Sequence, residues 1–333
     1  MTDVPRDIHN MGASNNSAAG SSDNPAVVVL GGGTGLPTLL SGLKFYTADL
    51  TAVVTVADDG GSSGRLRREM GILPPGDIRN CLVALAEDES LMGELFQYRF
   101  EEGPLSGHSF GNLFLAALTR VSGDFEEAVR QSSKILKTCG TVLPASLDLV
   151  WLKAELDDGE MVEGQSAIAG SRRSCRRIWL NPEDARPTDT VLAAIAEADI
   201  IVAGPGSLFT SIIPNLLIGG IADAVVGAGC PRVFVCNVMT QPGETIGFTA
   251  ADHLEALIAH TRPGIVDSVI VNTAEPPSPI VDYYRAEGAV PVVIDEDRLR
   301  SLGVEVLAAE VASGGNYFRH DSEKLAAAIM SLL

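Results

Sequence analysis

The chain has 333 residues, enough for one large α/β domain or two ordinary ones with ample material for a buried core. Its 24 Lys and Arg against 43 Asp and Glu give a formal net charge of −19, the wrong sign for a groove that tracks nucleic acid or an anionic membrane face. An anionic ligand must therefore be held locally, by glycine loops, helix N-termini or a metal. The five cysteines, Cys81, Cys139, Cys175, Cys230 and Cys236, are scattered and lack C-x-x-C spacing, which argues against a disulfide framework or a zinc site and for buried free thiols in a reducing cytoplasm.

Residues 1–24 are rich in Asn, Ser, Ala and Gly with almost no apolar periodicity, and they lack the hydrophobic core of a signal peptide. They read as a disordered tail, and residues 25–333 as a single α/β domain in which β-branched runs alternate with amphipathic stretches. The predicted strands are Val27 to Leu30, Thr51 to Val56, Ile200 to Ala203, Val233 to Cys236, Val266 to Val271 and Val290 to Ile294, a pattern that implies a mostly parallel sheet with helices on both faces. A helical block, Asp77 to Ala86, Leu91 to Arg99, His108 to Val121 and Phe125 to Lys137, precedes a hairpin of Leu149 to Leu156 with Met161 to Glu163, turning at Asp157-Asp-Gly159. These insertions are expected to cap the sheet edge and wall the ligand pocket. The apolar segment Ser207 to Gly229 is broken by Pro214, Asn215 and Asp223 and reads as helices packed on a sheet, without a membrane anchor.

The loops at the strand ends carry the chemistry. The first strand runs into Gly31-Gly-Gly-Thr-Gly35, a glycine cluster that brings backbone N–H groups of Gly32, Gly33, Thr34 and Gly35 toward a phosphate. It is neither the usual G-x-G-x-x-G nor a P-loop, and this register counts against a nicotinamide dehydrogenase. The second strand runs into Asp58-Asp-Gly-Gly-Ser-Ser-Gly-Arg65. Adjacent carboxylates at a strand end repel unless a cation or a hydroxyl-rich ligand sits against them, so Asp58 and Asp59 are candidate magnesium ligands, beside donors on Gly61, Ser62, Ser63 and Arg65. In Pro74-Pro-Gly-Asp77, Asp77 reads as an N-cap, with Arg79 and Asn80 polar in the first turn of an otherwise apolar helix. In Gly107-His-Ser-Phe-Gly-Asn112, His108, Ser109 and Asn112 lie at a helix N-terminus where an anion is favoured, and His108 is a candidate proton-transfer group. A second phosphate cradle is Gly204-Pro-Gly-Ser207, with Gly206 at its centre and Ser211 in the helix that follows, and Asn237 ends a further strand in the same way.

Taken in order, G-G-G-T-G at Gly31 to Gly35, T-V-A-D-D-G-G-S-S-G-R-L-R at Thr55 to Arg67, P-P-G-D-I-R-N-C-L at Pro74 to Leu82 and G-H-S-F-G-N at Gly107 to Asn112 resemble the gluconeogenesis factor family, the YvcK type. V-L-P-A-S at Val142 to Ser146, G-P-G-S-L-F-T-S-I-I-P-N-L at Gly204 to Leu216 and N-V-M-T-Q-P-G-E-T at Asn237 to Thr245 complete the set. That family shares a superfamily with the 2-phospho-L-lactate transferases of deazaflavin cofactor biosynthesis. The resemblance implies a three-layer α/β/α Rossmann-like fold and a nucleotide-sugar ligand such as UDP-N-acetylglucosamine, with phosphate on the glycine loops and Asp58 and Asp59 at the metal or acceptor position. It implies a cytoplasmic regulator of carbon metabolism and cell shape under gluconeogenic growth, with a homodimer and regulatory proteins as partners. The other reading is a magnesium-dependent transferase acting on a nucleotide-diphosphate donor. The transferases carry an acidic and basic G-D-R-D-L-A stretch where this chain has Gly107 to Asn112, which removes groups expected to hold their deazaflavin acceptor.

Overall fold

A run of β-branched residues with no polar alternation has no solvent face, so it must lie between two helical layers. Val27–Gly31 is such a run: all five of its residues are buried in the computed structural model, which describes residues 24–87, 91–314 and 317–333. Of the tail expected at 1–24, only Asn24 falls within the described residues, and its side-chain oxygen accepts from Ala48 N at 2.7 Å. In chain order the strands are β1 (Val27–Gly31), β2 (Leu50–Val54), β3 (Thr141–Pro144), β4 (Trp151–Leu156), β5 (Met161–Glu163), β6 (Cys175–Asn181), β7 (Ile200–Ala203), β8 (Arg232–Val235), β9 (Ser268–Asn272), β10 (Glu305–Ala309), β11 (Ala312–Gly314) and β12 (Phe318–His320).

Seven of them form one sheet in the order β10-β9-β8-β7-β1-β2-β3. Each pair is parallel, with Val27 opposite Leu50 on one side and Ile200 on the other, and helices cover both sides. The chain builds outward from β1 through β2 to β3, then returns to β7 and builds the other way. Strand order therefore reverses between β1 and β7, and the loops leaving their C-terminal ends open a crevice there, the usual place for a ligand in such a sheet.

The helices used below are α1 (Gly35–Leu43), α2 (Gly61–Met70), α3 (Gly76–Leu85), α4 (Leu91–Gln97), α5 (Phe110–Ser122), α6 (Phe125–Leu136) and α7 (Gln165–Gly170). Local chemistry sets their ends. Ser109 caps α5 by accepting from Asn112 N, Asp124 caps α6 by accepting from Glu127 N, and Gly123 closes α5 at φ 76°. Phe125, Ala128, Val129, Ser132 and Leu136 form the buried face of α6, spaced as a helix requires.

The expected hairpin is present as β4 and β5, extended by β6 into a three-stranded antiparallel sheet. Val290 to Ile294 is not a strand. Pro291 cannot donate to a ladder, and the segment instead touches the loop after β8 through isolated bridges, Met239 with Pro291 and Thr249 with Val293. Among the described residues no single helix is long and apolar enough to cross a membrane. The Leu208–Leu217 and Ile221–Gly227 stretches meet at 81°, and Phe209 packs edge-on against Phe248 and His260, inside the protein. All five cysteines are free; Cys81, Cys175 and Cys236 are buried, whereas Cys139 is exposed.

Helix α1 packs on the C-terminal helix Ser322–Met330 so closely that a Cβ on Gly42 would overlap the Ser322 carbonyl and lie 3.1 Å from the Ala326 Cβ. Gly42→Ala should therefore lower stability by about 1–3 kcal/mol, against the gain of up to ~1 kcal/mol that helix propensity alone would give. A denaturant midpoint equal to or above wild type would contradict this packing.

Candidate functional site

At the crevice the loops after β1 and β7 lie against each other. A Cβ on Gly35 would come 2.7 Å from the Pro205 carbonyl oxygen, and one on Gly206 3.3 Å from the Gly32 carbonyl oxygen, so the two backbones meet with no side chain between them. Gly33 and Gly204 adopt φ of 62° and 93°, open to glycine at little cost. Gly204 N donates to Leu30 O at 2.9 Å, tying the second loop to β1. Asn215, fully buried, donates to Gly31 O at 3.0 Å and Ser211 O at 2.7 Å, so the helix after the second loop holds the first loop as well.

A cavity of about 560 Å³ opens from these loops, within the range of small-molecule sites. Its inner end is lined by Gly33, Thr34, Gly35, Gly206, Ser207 and Asn237. Ser207 Oγ accepts from Gln241 Nε2 at 2.9 Å, and Asn237 Nδ2 donates to Gln241 Oε1 at 3.2 Å, so the loop after β8 orients the serine. Glu244 is buried and accepts from Phe209 N at 3.1 Å and Thr210 Oγ1 at 2.7 Å. Burial raises its carboxyl, and those same hydrogen bonds oppose the rise. The N–H of Phe209 is thus committed to Glu244, which leaves the backbone of Gly206 and Ser207 to meet a ligand.

The outer end carries residues that sequence patterning did not single out: Tyr283, Tyr284, Tyr317, Arg319 and Arg172. Tyr283 and Tyr317 meet edge to face at 6.0 Å, and the Arg319 guanidinium lies 4.7 Å over the Tyr317 ring. Both tyrosines are nearly half exposed, which suits them to cover a planar ligand. Adjacent tyrosines in Asp282-Tyr-Tyr284 were the one available signal, on a helix whose residues are all at least partly exposed.

The remaining candidates gather beside the cavity. Asp77 is not a cap: Pro75 precedes α3, and Asp77, in its first turn, accepts from Gly33 N at 2.8 Å. Burial first, and then Asp58, pushes its carboxyl up to about 6. The Asp58 carboxyl is also raised by burial, opposed by Gly60 N, which donates to it at 2.9 Å. Asp59 turns away and accepts from Ser166 N at 2.9 Å, holding the start of α7. Ser62 Oγ lies 2.9 Å from His108 Nδ1, Ser63 Oγ sits against Gly76, and Gly61 adopts φ 44°. Arg65 donates to Ser106 O at 2.9 Å, and Arg79 to Asn80 Oδ1 at 2.6 Å. Arg79, polar in the first turn of an otherwise apolar helix, is buried.

Among the described residues no three His, Cys, Asp or Glu side chains are placed to cage a metal. Magnesium, however, is commonly held by one or two carboxylates completed by substrate phosphates. Asp58, crowded by Asp59 and itself raising Asp77, fits that partial donor set.

The family model described as 2-phospho-L-lactate transferase CofD matches residues 27–312. The chain is similar to the gluconeogenesis factor of Bacillus subtilis, 49% identical over 311 residues covering 93% of this chain and 98% of that protein. It is similar likewise to the gluconeogenesis factor of Halalkalibacterium halodurans, 50% identical over 307 residues covering 91% and 95%. A crystal structure of a Bacillus halodurans protein superposes with a TM-score of 0.90 at 48% identity, covering 92% of this chain and 99% of that one.

A carboxyl held at about 6 when folded, against 3.8 when free, costs stability above that pH and stops costing it as the pH falls through 6 toward 4. Asp77→Asn should therefore stabilise the empty protein by up to about 3 kcal/mol near pH 8, with a gain that shrinks near pH 5. Denaturant unfolding of both proteins at the two pH values checks this; a gain independent of pH would show that the Asp77 carboxyl titrates alike in the folded and unfolded chain, without the rise that burial gives it here.

Proposed function

The chain belongs to the CofD family and aligns along nearly its full length with its gluconeogenesis factors, and we propose that it is a nucleotide-sugar-binding regulator of carbon metabolism and cell shape during gluconeogenic growth. The observation that carries this reading is the shape of one cavity: two phosphate-cradling backbone loops at its inner end, and a tyrosine and arginine platform at its outer end. A nucleoside diphosphate sugar has parts to match. Its diphosphate meets Gly206 and Ser207, its base lies against Tyr283 and Tyr317, and Arg319 offsets phosphate or carbonyl charge. The backbone supplies the local positive potential that a chain of charge −19 lacks elsewhere. UDP-N-acetylglucosamine is the ligand we assign, in the cytoplasm, with regulatory proteins and a second copy of the chain as partners.

A magnesium-dependent transferase is the second reading, favoured by the crowding of Asp58, Asp59 and Asp77 beside the glycine loop. Magnesium bound there would neutralise charge building on the diphosphate. Asp58 would hold it, while Gly33 N–H keeps Asp77 in place. The histidine, serine and phenylalanine at His108 to Phe110 stand where the transferases present acidic and basic groups to their acceptor. That exchange leaves an acceptor's polar atoms unpaired on burial, at about 1–3 kcal/mol each.

The purified protein should be stabilised against heat by UDP-N-acetylglucosamine, and Gly206→Val, which crowds the Gly32 carbonyl and Ser211, should abolish the effect while the protein still folds. No shift with any of a panel of nucleotide sugars would end the binding reading. Given magnesium, a lactyl nucleotide donor and a deazaflavin acceptor, the protein should form no phospholactylated product; product above a no-enzyme control would put the transferase first.

A further inference from the structure

Several of the polar residues gathered beside Asp77 do not line the cavity. Helices α2 and α5, of 10 and 13 residues, start close together, joined by the Ser62 to His108 contact at 2.9 Å. Each start carries positive partial charge. Three guanidinium groups add to it. Arg65 donates to Ser106 O at 2.9 Å and Arg99 to Gly107 O at 2.7 Å, so adjacent carbonyls of one loop hold both. Arg79 lies along the first turn of α5, where a Cβ on Gly111 would come 2.8 Å from its Cδ.

Arg79 is 9% exposed, its Nε has no partner, and its other nitrogens reach only neutral acceptors, Asn80 Oδ1 at 2.6 Å and Phe96 O at 3.4 Å. The acids facing the cluster are Asp77, which attracts Arg79, and Glu69, which faces His108. Burial, together with Arg65 and Arg99, holds the imidazole below its usual value, so it adds no charge of its own near neutrality. That buried cation, beside a helix N-terminus and two more guanidiniums, keeps N–H capacity that Asp77 and the neutral acceptors leave unused.

We propose that Arg65, Arg79 and Arg99, with the N-termini of α2 and α5, form a second ligand site for a phosphate or phosphomonoester, separate from the nucleotide-sugar cavity. A phosphate dianion suits forked guanidinium donors set beside the positive partial charge of two helix starts. The site meets the cavity wall through Asp77 and its bond to Gly33 N, and it does not depend on what the cavity binds.

The test follows thermal unfolding of the full chain in potassium phosphate, in glycerol 3-phosphate and in potassium chloride at matched ionic strength. Both phosphates should raise the midpoint above chloride, and tighter binding of the ester would assign the site to a phosphorylated metabolite. Arg99→Gln and Arg65→Gln should each weaken phosphate binding by roughly tenfold, as loss of one charged hydrogen bond does, with Arg99→Lys keeping most of it. Arg99→Gln should leave the response to UDP-N-acetylglucosamine unchanged, and Gly206→Val should leave the response to phosphate unchanged. Absence of any phosphate effect in wild type, a full effect in both glutamine variants, or its loss in Gly206→Val would each overturn the proposal.

Discussion

Everything at the ligand end of this protein depends on two loops packing backbone against backbone. The parallel sheet reverses its order between β1 and β7, so the loops that follow those strands must leave side by side, and any side chain between them would force them apart. Gly35 against Pro205, and Gly206 against Gly32, satisfy that requirement. Neighbouring polar side chains then fix the loops: Asn215 holds Gly31, Asp77 holds Gly33, and Gln241 holds Ser207. Backbone donors pinned in this way lose little freedom when they meet a phosphate, which is the condition for tight binding by so few groups.

The same end of the molecule concentrates costly electrostatics. Asp77 and Glu244 are buried acids and Asp58 a half-buried one, burial raising all three carboxyls, and Arg67 and Arg79 are buried cations. Arg67 stacks 3.7 Å over Trp151 and donates to the Asp58 and Val150 carbonyls, which ties α2 to the small antiparallel sheet. Asp59 does the same for α7 through Ser166 N. The loop bearing the acid pair is therefore a junction between the main sheet, the wall of the cavity and the outer sheet. Strain concentrated at a ligand site, where binding offsets it, is the expected pattern in a functional protein.

The central strands were legible in the sequence because burial on both faces leaves an unbroken apolar run, as in Val27 to Leu30 and Ile200 to Ala203. Edge and insertion strands were harder. The Thr141–Pro144 strand is four residues long and ends in proline, Cys175–Asn181 carries two adjacent exposed arginines that break the alternation, and Glu305–Ala309 is a short run that suits a helix as well. Val290 to Ile294 misled because four β-branched residues around a proline look like a strand in one dimension. At the site, glycine and aspartate loops announced themselves, since their composition exceeds what turns need. What Asp77 and Asp59 bind could not be read, because Gly33 is 44 residues from the one and Ser166 is 107 from the other. The tyrosine platform was missed for the same reason: Tyr283 and Tyr317 come from different elements, and only the fold brings them to the mouth of the cavity that begins at Gly33.

A crystal structure of the protein with UDP-N-acetylglucosamine tests the central claim most directly. The account predicts the diphosphate on the backbone of Gly206 and Ser207 at the junction of β1 and β7, with the uracil ring against Tyr283 and Tyr317. Diphosphate bound elsewhere, or a cavity that stays empty at saturating ligand, would contradict it.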